Sequence, residues 1–190
     1  MDNILITILG IFLAAILIFI FPLMSLTERN DDIAQSIVQT ATVEFVDKIS
    51  LSGSIKPSDY EEYIKTLEST GNIFDVQIEI QHLDENFSKK NGTTSKDLIG
   101  ENERYSTFIT EILDNIYLED GSSQNYMLKK GDNVIVTAKN TNKTMAQTLR
   151  TFIYKVTGQG TYEISAISSS MVVNNGGIQN IQNWWIARNL

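Results

Sequence analysis

Residues 4–24 read ILITILGIFLAAILIFIFPLM, and residues 25–52 read SLTERNDDIAQSIVQTATVEFVDKISLS. The first stretch is uncharged and dominated by Ile, Leu and Phe, with the length and composition a helix needs to cross the hydrocarbon core of a bilayer. A secretory signal is normally shorter in its apolar part and preceded by Lys or Arg, so this stretch reads as an uncleaved anchor. In the second stretch Ile33, Ala34, Ile37, Val38, Ala41, Phe45, Val46 and Ile49 recur at three- and four-residue steps, which places them on one face of a helix. Asp32, Gln35, Ser36, Gln39, Thr42 and Lys48 are expected on the other face. No Gly or Pro interrupts residues 25–52, so anchor and amphipathic segment are predicted to form one helix about 70 Å long. Pro22 is a candidate kink, and Gly53 is placed to end the helix.

Beyond the helix the composition is that of a globular domain. Hydrophobic residues make up 42% and charged residues 20% of the 190-residue chain, so the remainder is not a disordered tail. The formal net charge of −8 opposes nucleic-acid binding, which needs a basic surface, and opposes a domain lying flat on anionic lipid. Cysteine is absent, which removes disulfides, thiolate metal sites and a Cys nucleophile. Arg29 is the one base close to the anchor and sits among acids. A short N-terminal side with the polar C-terminal part outside the cytoplasm is the preferred topology.

Further along, Ser58 or Asp59 is placed to cap a helix reaching about residue 69, with Tyr60, Tyr63, Ile64 and Leu67 on one side and Gly71-Asn72 ending it. Residues 75–83, DVQIEIQHL, alternate strictly and predict a half-buried strand with Val76, Ile78 and Ile80 inward. Residues 84–103 read as a polar surface loop. Residues 105–118 return to helical spacing through Phe108, Ile109, Ile112, Leu113 and Ile116. A short strand at 126–128, a turn at 130–133, a strand at 134–139 and an amphipathic helix at 144–156 follow. A final strand region spans 162–173, with Ile164, Ala166 and Met171 facing inward and a bulge at 168–170. The tail, residues 178–190, carries Trp184 and Trp185. Domain organisation is expected as an anchor (1–26), its amphipathic extension (27–52) and a head (53–190). The fold class is α+β, a long N-terminal helix packed on a small, mostly antiparallel sheet with two or three further helices.

No catalytic constellation emerges. His82 is the single histidine and is expected to be a partly exposed strand residue, since one His supplies neither metal-ligand spacing nor an HExxH pattern. No Gly-x-Ser-x-Gly elbow surrounds any serine. Asp59, Glu61, Glu62, Glu68, Glu111, Asp114, Glu119 and Asp120 fall at spacings that make solvated faces. The oxygen-rich stretches 84–86 and 118–124 lack the pattern of a calcium loop. The expectation is therefore no enzyme, no cofactor, no metal and no small-molecule substrate. The expected packing and assembly residues are Ile33, Ile37, Val38, Ala41, Phe45 and Ile49, and Trp184 and Trp185 are candidate contacts to a partner subunit or the bilayer interface.

An apolar helix continuing as an amphipathic spine into a small sheet-bearing head resembles type IV pilins and pseudopilins. Glu44-Phe45-Val46-Asp47-Lys48, Gly53-Ser54-Ile55, Tyr60, Leu67, Thr70-Gly71-Asn72 and Asp75-Val76-Gln77-Ile78-Glu79 resemble a group of small single-pass bacterial proteins found with Tad-type pili or related secretion systems, mostly in Gram-positive anaerobes. Gly131-Asp132-Asn133-Val134-Ile135-Val136, Ile164-Ser165-Ala166 and Met171-Val172 extend the likeness. The resemblance implies a pilin-like structural or accessory subunit of a surface appendage or secretion apparatus, whose partners are the membrane and other pilin-like subunits or further copies of itself. The alternative is a membrane-tethered binding or sensor module that recognises its target through residues 84–103 or the tryptophan tail.

Overall fold

The computed structural model describes residues 2–83, 104–154 and 163–176. The predicted 84–103 loop, the last residues of the 144–156 helix and the Trp184-Trp185 tail lie outside the described residues. The chain is an α+β protein. Its elements are α1 (Asp2–Ser52), β1 (Ser54–Ile55), α2 (Pro57–Glu68), β2 (Phe74–Leu83), β3 (Arg104–Phe108), α3 (Ile109–Ile116), β4 (Tyr126–Met127), β5 (Asn133–Asn140), α4 (Met145–Tyr154) and β6 (Ser165–Met171).

Helix α1 is 51 residues long and stays helical across Pro22, about 77 Å at 1.5 Å per residue. Four antiparallel strands in the order β3-β2-β5-β6 form the main sheet, and β1 pairs with β4 in a separate ribbon. Strict alternation in β2 and β5 buries Val76, Ile78 and Ile80 beside Val134, Val136 and Ala138. The second half of α1 covers that face with Ala34, Val38, Ala41, Phe45, Val46 and Ile49, and Tyr63 and Leu67 of α2 and Ile112 and Ile116 of α3 complete one core. Each large apolar side chain so buried contributes roughly 1.5–3 kcal/mol.

Polar clasps hold α1 along the outer edge of β6. The Gln35 carboxamide accepts from the Ser165 N–H (3.0 Å) and donates to the Ser165 carbonyl (2.7 Å), as a neighbouring strand would. At the far end the Ser50 hydroxyl donates to the Met171 carbonyl (2.5 Å), and the Val173 N–H donates to the Ser50 carbonyl (3.0 Å). Edge groups that would otherwise invite another strand are thus partly occupied by the helix.

Several expectations are corrected. The helix predicted over 105–118 divides, because Arg104–Phe108 pairs with β2 from Leu83↔Arg104 to Glu79↔Phe108, leaving Ile109–Ile116 as α3. An open edge of β2 wins over local helical spacing, and the aromatic and β-branched residues of the segment suit a strand. The predicted bulge at 168–170 is absent, since the β5–β6 register runs unbroken from Asn133↔Met171 to Lys139↔Ser165. Period two then turns Met171 outward and Val172 inward. Helix α2 begins two to three residues earlier than expected, with Pro57 in its first turn and Lys56 at the N-cap; neither Ser58 nor Asp59 caps it.

Gly53 ends α1 with φ +66, and a Cβ there would lie 2.1 Å from the Asn174 carbonyl oxygen and 2.6 Å from the Gly176 nitrogen. Gly71, at φ +76, faces open space. In chemical denaturation of the full-length protein in detergent, Gly71→Ala should cost about 1 kcal/mol, the price of a left-handed backbone alone. Gly53→Ala should cost at least twice that, because the closing contact between the α1 terminus and the segment after β6 must also open.

Candidate functional site

Side chains of the first half of α1 project into open space. Ile4 is 65%, Phe12 64% and Phe19 77% exposed, and the most apolar 18-residue window has a mean hydropathy of 3.2 with none of it buried. Water would penalise each such residue by roughly 1.5–3 kcal/mol relative to burial. This one helix, among the described residues, is long and apolar enough to cross a membrane, and it is compatible with a single N-terminal span.

Past the span, the predicted stripe separates into two lines. Val38, Ala41, Phe45 and Ile49 are buried in the head. Ile37 is half-buried and Ile33 is 54% exposed, because these two sit on a line roughly 100° around the helix from the core line. The exposed line continues into the span as Phe12, Ile16, Phe19, Leu23, Leu26, Asn30, Ile33 and Ile37, spaced alternately four and three residues apart. That is the a/d spacing of a helix–helix seam, with Asn30 at one a position. Thr42, expected on the polar face, is fully buried and bonds the Val38 carbonyl (2.7 Å) and the Tyr63 hydroxyl (2.9 Å).

Between α1 and α2 a shallow groove of about 160 Å³ is lined by Ala41, Glu44, Phe45, Lys48, Asp59, Glu62, Tyr63 and Thr66, below the roughly 300 Å³ at which clefts begin to enclose a drug-sized ligand. Phe45 and Tyr63 stack on its floor at 4.5 Å and 3°. Lys48 bridges Asp59 (3.0 Å) and Glu62 (3.1 Å) at the rim, so Asp59, expected on a solvated face, is instead buried and ion-paired. Hydrogen bonds to Asp59 and then Glu62 raise the Lys48 pKa. Burial raises the pKa of Tyr60, Tyr63 and Tyr126.

No family model, no curated protein and no solved structure matches this chain. The pilin-like resemblance therefore rests on the residues quoted for it and on the form of α1.

His82 is buried, not partly exposed as expected. It has the same parity as Val76, Ile78 and Ile80, a signal that was present in the alternation of β2. Its Nδ1 lies 2.9 Å from Asp132 Oδ2, and Tyr105 packs on the ring at 4.9 Å. The same Asp132 oxygen accepts the Lys129 N–H (2.8 Å), while the Asp132 carbonyl accepts the Val172 N–H (2.8 Å). The cluster thus ties the end of β2 to the turn before β5 and to the end of β6. Asp120 in the 118–124 stretch turns its carboxylate onto the Ser122 N–H (2.9 Å) and hydroxyl (2.6 Å), the geometry of a local turn. Among the described residues no group of three His, Cys, Asp or Glu is placed to hold a metal.

Asp132→Ala should destabilise the head by about 1–3 kcal/mol, because the buried His82 ring and the part-buried Lys129 N–H lose their partner. The exposed Asp75→Ala control should stay within about 0.5 kcal/mol in the same unfolding measurement. Raised tyrosine and lysine values mean that the folded protein keeps protons the unfolded chain releases. The tyrosine and lysine contribution to stability should therefore be level from neutral pH up to the ordinary tyrosine value of 10.0 and fall as pH rises through the folded values. Tyr63→Phe should lower neutral-pH stability by about 0.5–1.5 kcal/mol through the lost Thr42 bond and make the alkaline fall shallower, checked by denaturant midpoints alongside tyrosinate absorbance.

Proposed function

We propose that this protein is a membrane-anchored, pilin-like structural or accessory subunit of a bacterial surface appendage or secretion apparatus. Its head faces away from the cytoplasm, and it packs against further copies or related subunits through α1. The observation that carries the reading is the exposed apolar line from Phe12 to Ile37, which does not stop where the span stops. Leu26 at 60% and Ile33 at 54% exposure serve neither the bilayer nor the head's core, and they continue the spacing of Phe19 and Leu23. A second helix laid along this line covers both halves at once.

The span contains no charged side chain. Contact between spans would be close van der Waals packing, with little hydrophobic drive inside the bilayer. The part of the line beyond the bilayer would add a hydrophobic contribution in water. Asn30 would fix the register at some cost in strength, as a single polar a-position does in coiled coils. Packing of the second half of α1 on the head leaves this line uncovered.

The absence of native cysteine makes the test clean. Full-length Ile33→Cys in native membranes should form a disulfide-linked dimer under mild oxidation, and Gln39→Cys, exposed on the other side of α1, should not. The assembled species should co-purify with appendage or secretion components. Equal, low cross-linking of both variants together with a strictly monomeric, partner-free protein would overturn the reading in favour of a lone membrane-tethered binding module.

A further inference from the structure

We infer that α4 is an interfacial element, seating the head directly on the lipid headgroups of the membrane that α1 crosses. The inference rests on α1 being a span and on distances measured along it. Residues 4–24 cover about 31 Å, the thickness of the hydrocarbon core, so the core ends close to Met24. The headgroup layer occupies roughly the next 5–8 Å on that side. The first α1 side chain beyond Met24 to be buried is Thr27, about 4.5 Å further on. The head therefore begins inside the headgroup layer, with no stalk between them.

Helix α4 starts just outside this layer and reaches into it. Arg150 Nε donates to Glu28 Oε1 at 2.9 Å, and Glu28 sits about 6 Å beyond Met24. The Thr144 hydroxyl donates to Asp31 Oδ2 at 2.7 Å, about 10 Å beyond Met24. From residue 144 to residue 150, α4 thus descends toward the bilayer. Met145, on the outer side, is 65% exposed, and Leu149, one turn along, is half-exposed.

Charge fits the same location. The chain carries a net −8, yet the described charged residues at this level balance, with Glu28, Asp31 and Asp32 against Arg29, Lys143 and Arg150. A neutral collar avoids the repulsion from lipid that the whole-chain charge would predict. Arg150 is held by Glu28 in a layer less polar than water, where an ion pair is screened less. The partner is accordingly a phospholipid surface, contacted through a neutral, half-apolar helix lying in the interface.

Single cysteines at Leu13, Met145, Thr148 and Lys130 carry spin labels in the full-length protein reconstituted into phosphatidylcholine nanodiscs. Collision with a water-soluble nickel chelate should be nearly abolished at Leu13 and full at Lys130. At Met145, which starts α4 at the outer margin of the headgroup layer, it should be reduced relative to Lys130, and at Thr148, nearly one turn further along α4, reduced about threefold or more. Labels at Met145 and Thr148 as accessible as Lys130, with Leu13 still protected, would overturn the seating of α4 and leave the span intact. An accessible Leu13 would overturn the span itself, and the seating with it. Circular dichroism of each variant confirms that the labelled proteins are folded.

Discussion

One helix in this protein has to satisfy two solvents. For its first half α1 exposes apolar side chains on every side, which only lipid or other helices can accommodate; for its second half it must bury one line and wet the rest. The sheet supplies the burial. Val38, Ala41, Phe45, Val46 and Ile49 lie against Val76, Ile78, Ile80, Val134 and Val136 in one core, and without that contact neither the sheet nor the helix has a partner for its apolar face. A sheet of four strands with one face uncovered would be marginal in water. The clasps at Gln35 and Ser50 fix the height of the helix against β6, and through it the height of the head above the span.

Because the helix is continuous, rotation and height are transmitted rigidly from head to span. The core line sets which side of α1 faces the sheet, so the line from Phe19 through Leu26 to Ile37 is set roughly 100° around the helix from it. A flexible linker at residues 25–27 would have lost this relation. The helix instead keeps the hydrogen-bonded ladder from its apolar half into the half that packs on the head, and the contacts of Glu28 with Arg150 and of Asp31 with Thr144 brace it there.

Much of this was legible in the residues. Period-3.6 spacing marked the buried half of α1, and period-two alternation marked β2 and β5, because burial on one face is what writes such patterns into a sequence. What misled was local spacing where partners decide. Tyr105 and Phe108 fit a helical stripe equally well, and only the open edge of β2 makes them a strand. Ile33 shares the stripe's spacing but not its cover, since a helix periodicity says how side chains are arranged around an axis and nothing about how wide the facing surface is. His82 was readable by parity; Asp132, fifty residues away, was not, because pairing across a sheet is a long-range fact.

The sequence by itself determined that a long uncharged helix leads into an amphipathic one and then an α+β head, because composition and periodicity report directly on which solvent each face of an element meets. Tertiary structure alone decided three things. It placed β3 on the edge of β2, split the apolar residues of α1 between a core line and an outward line, and set Arg150 and Thr144 beside Glu28 and Asp31. Each of these depends on which distant segment packs where. That choice is made by the summed burial and hydrogen bonding of the whole head, which no local window of residues contains.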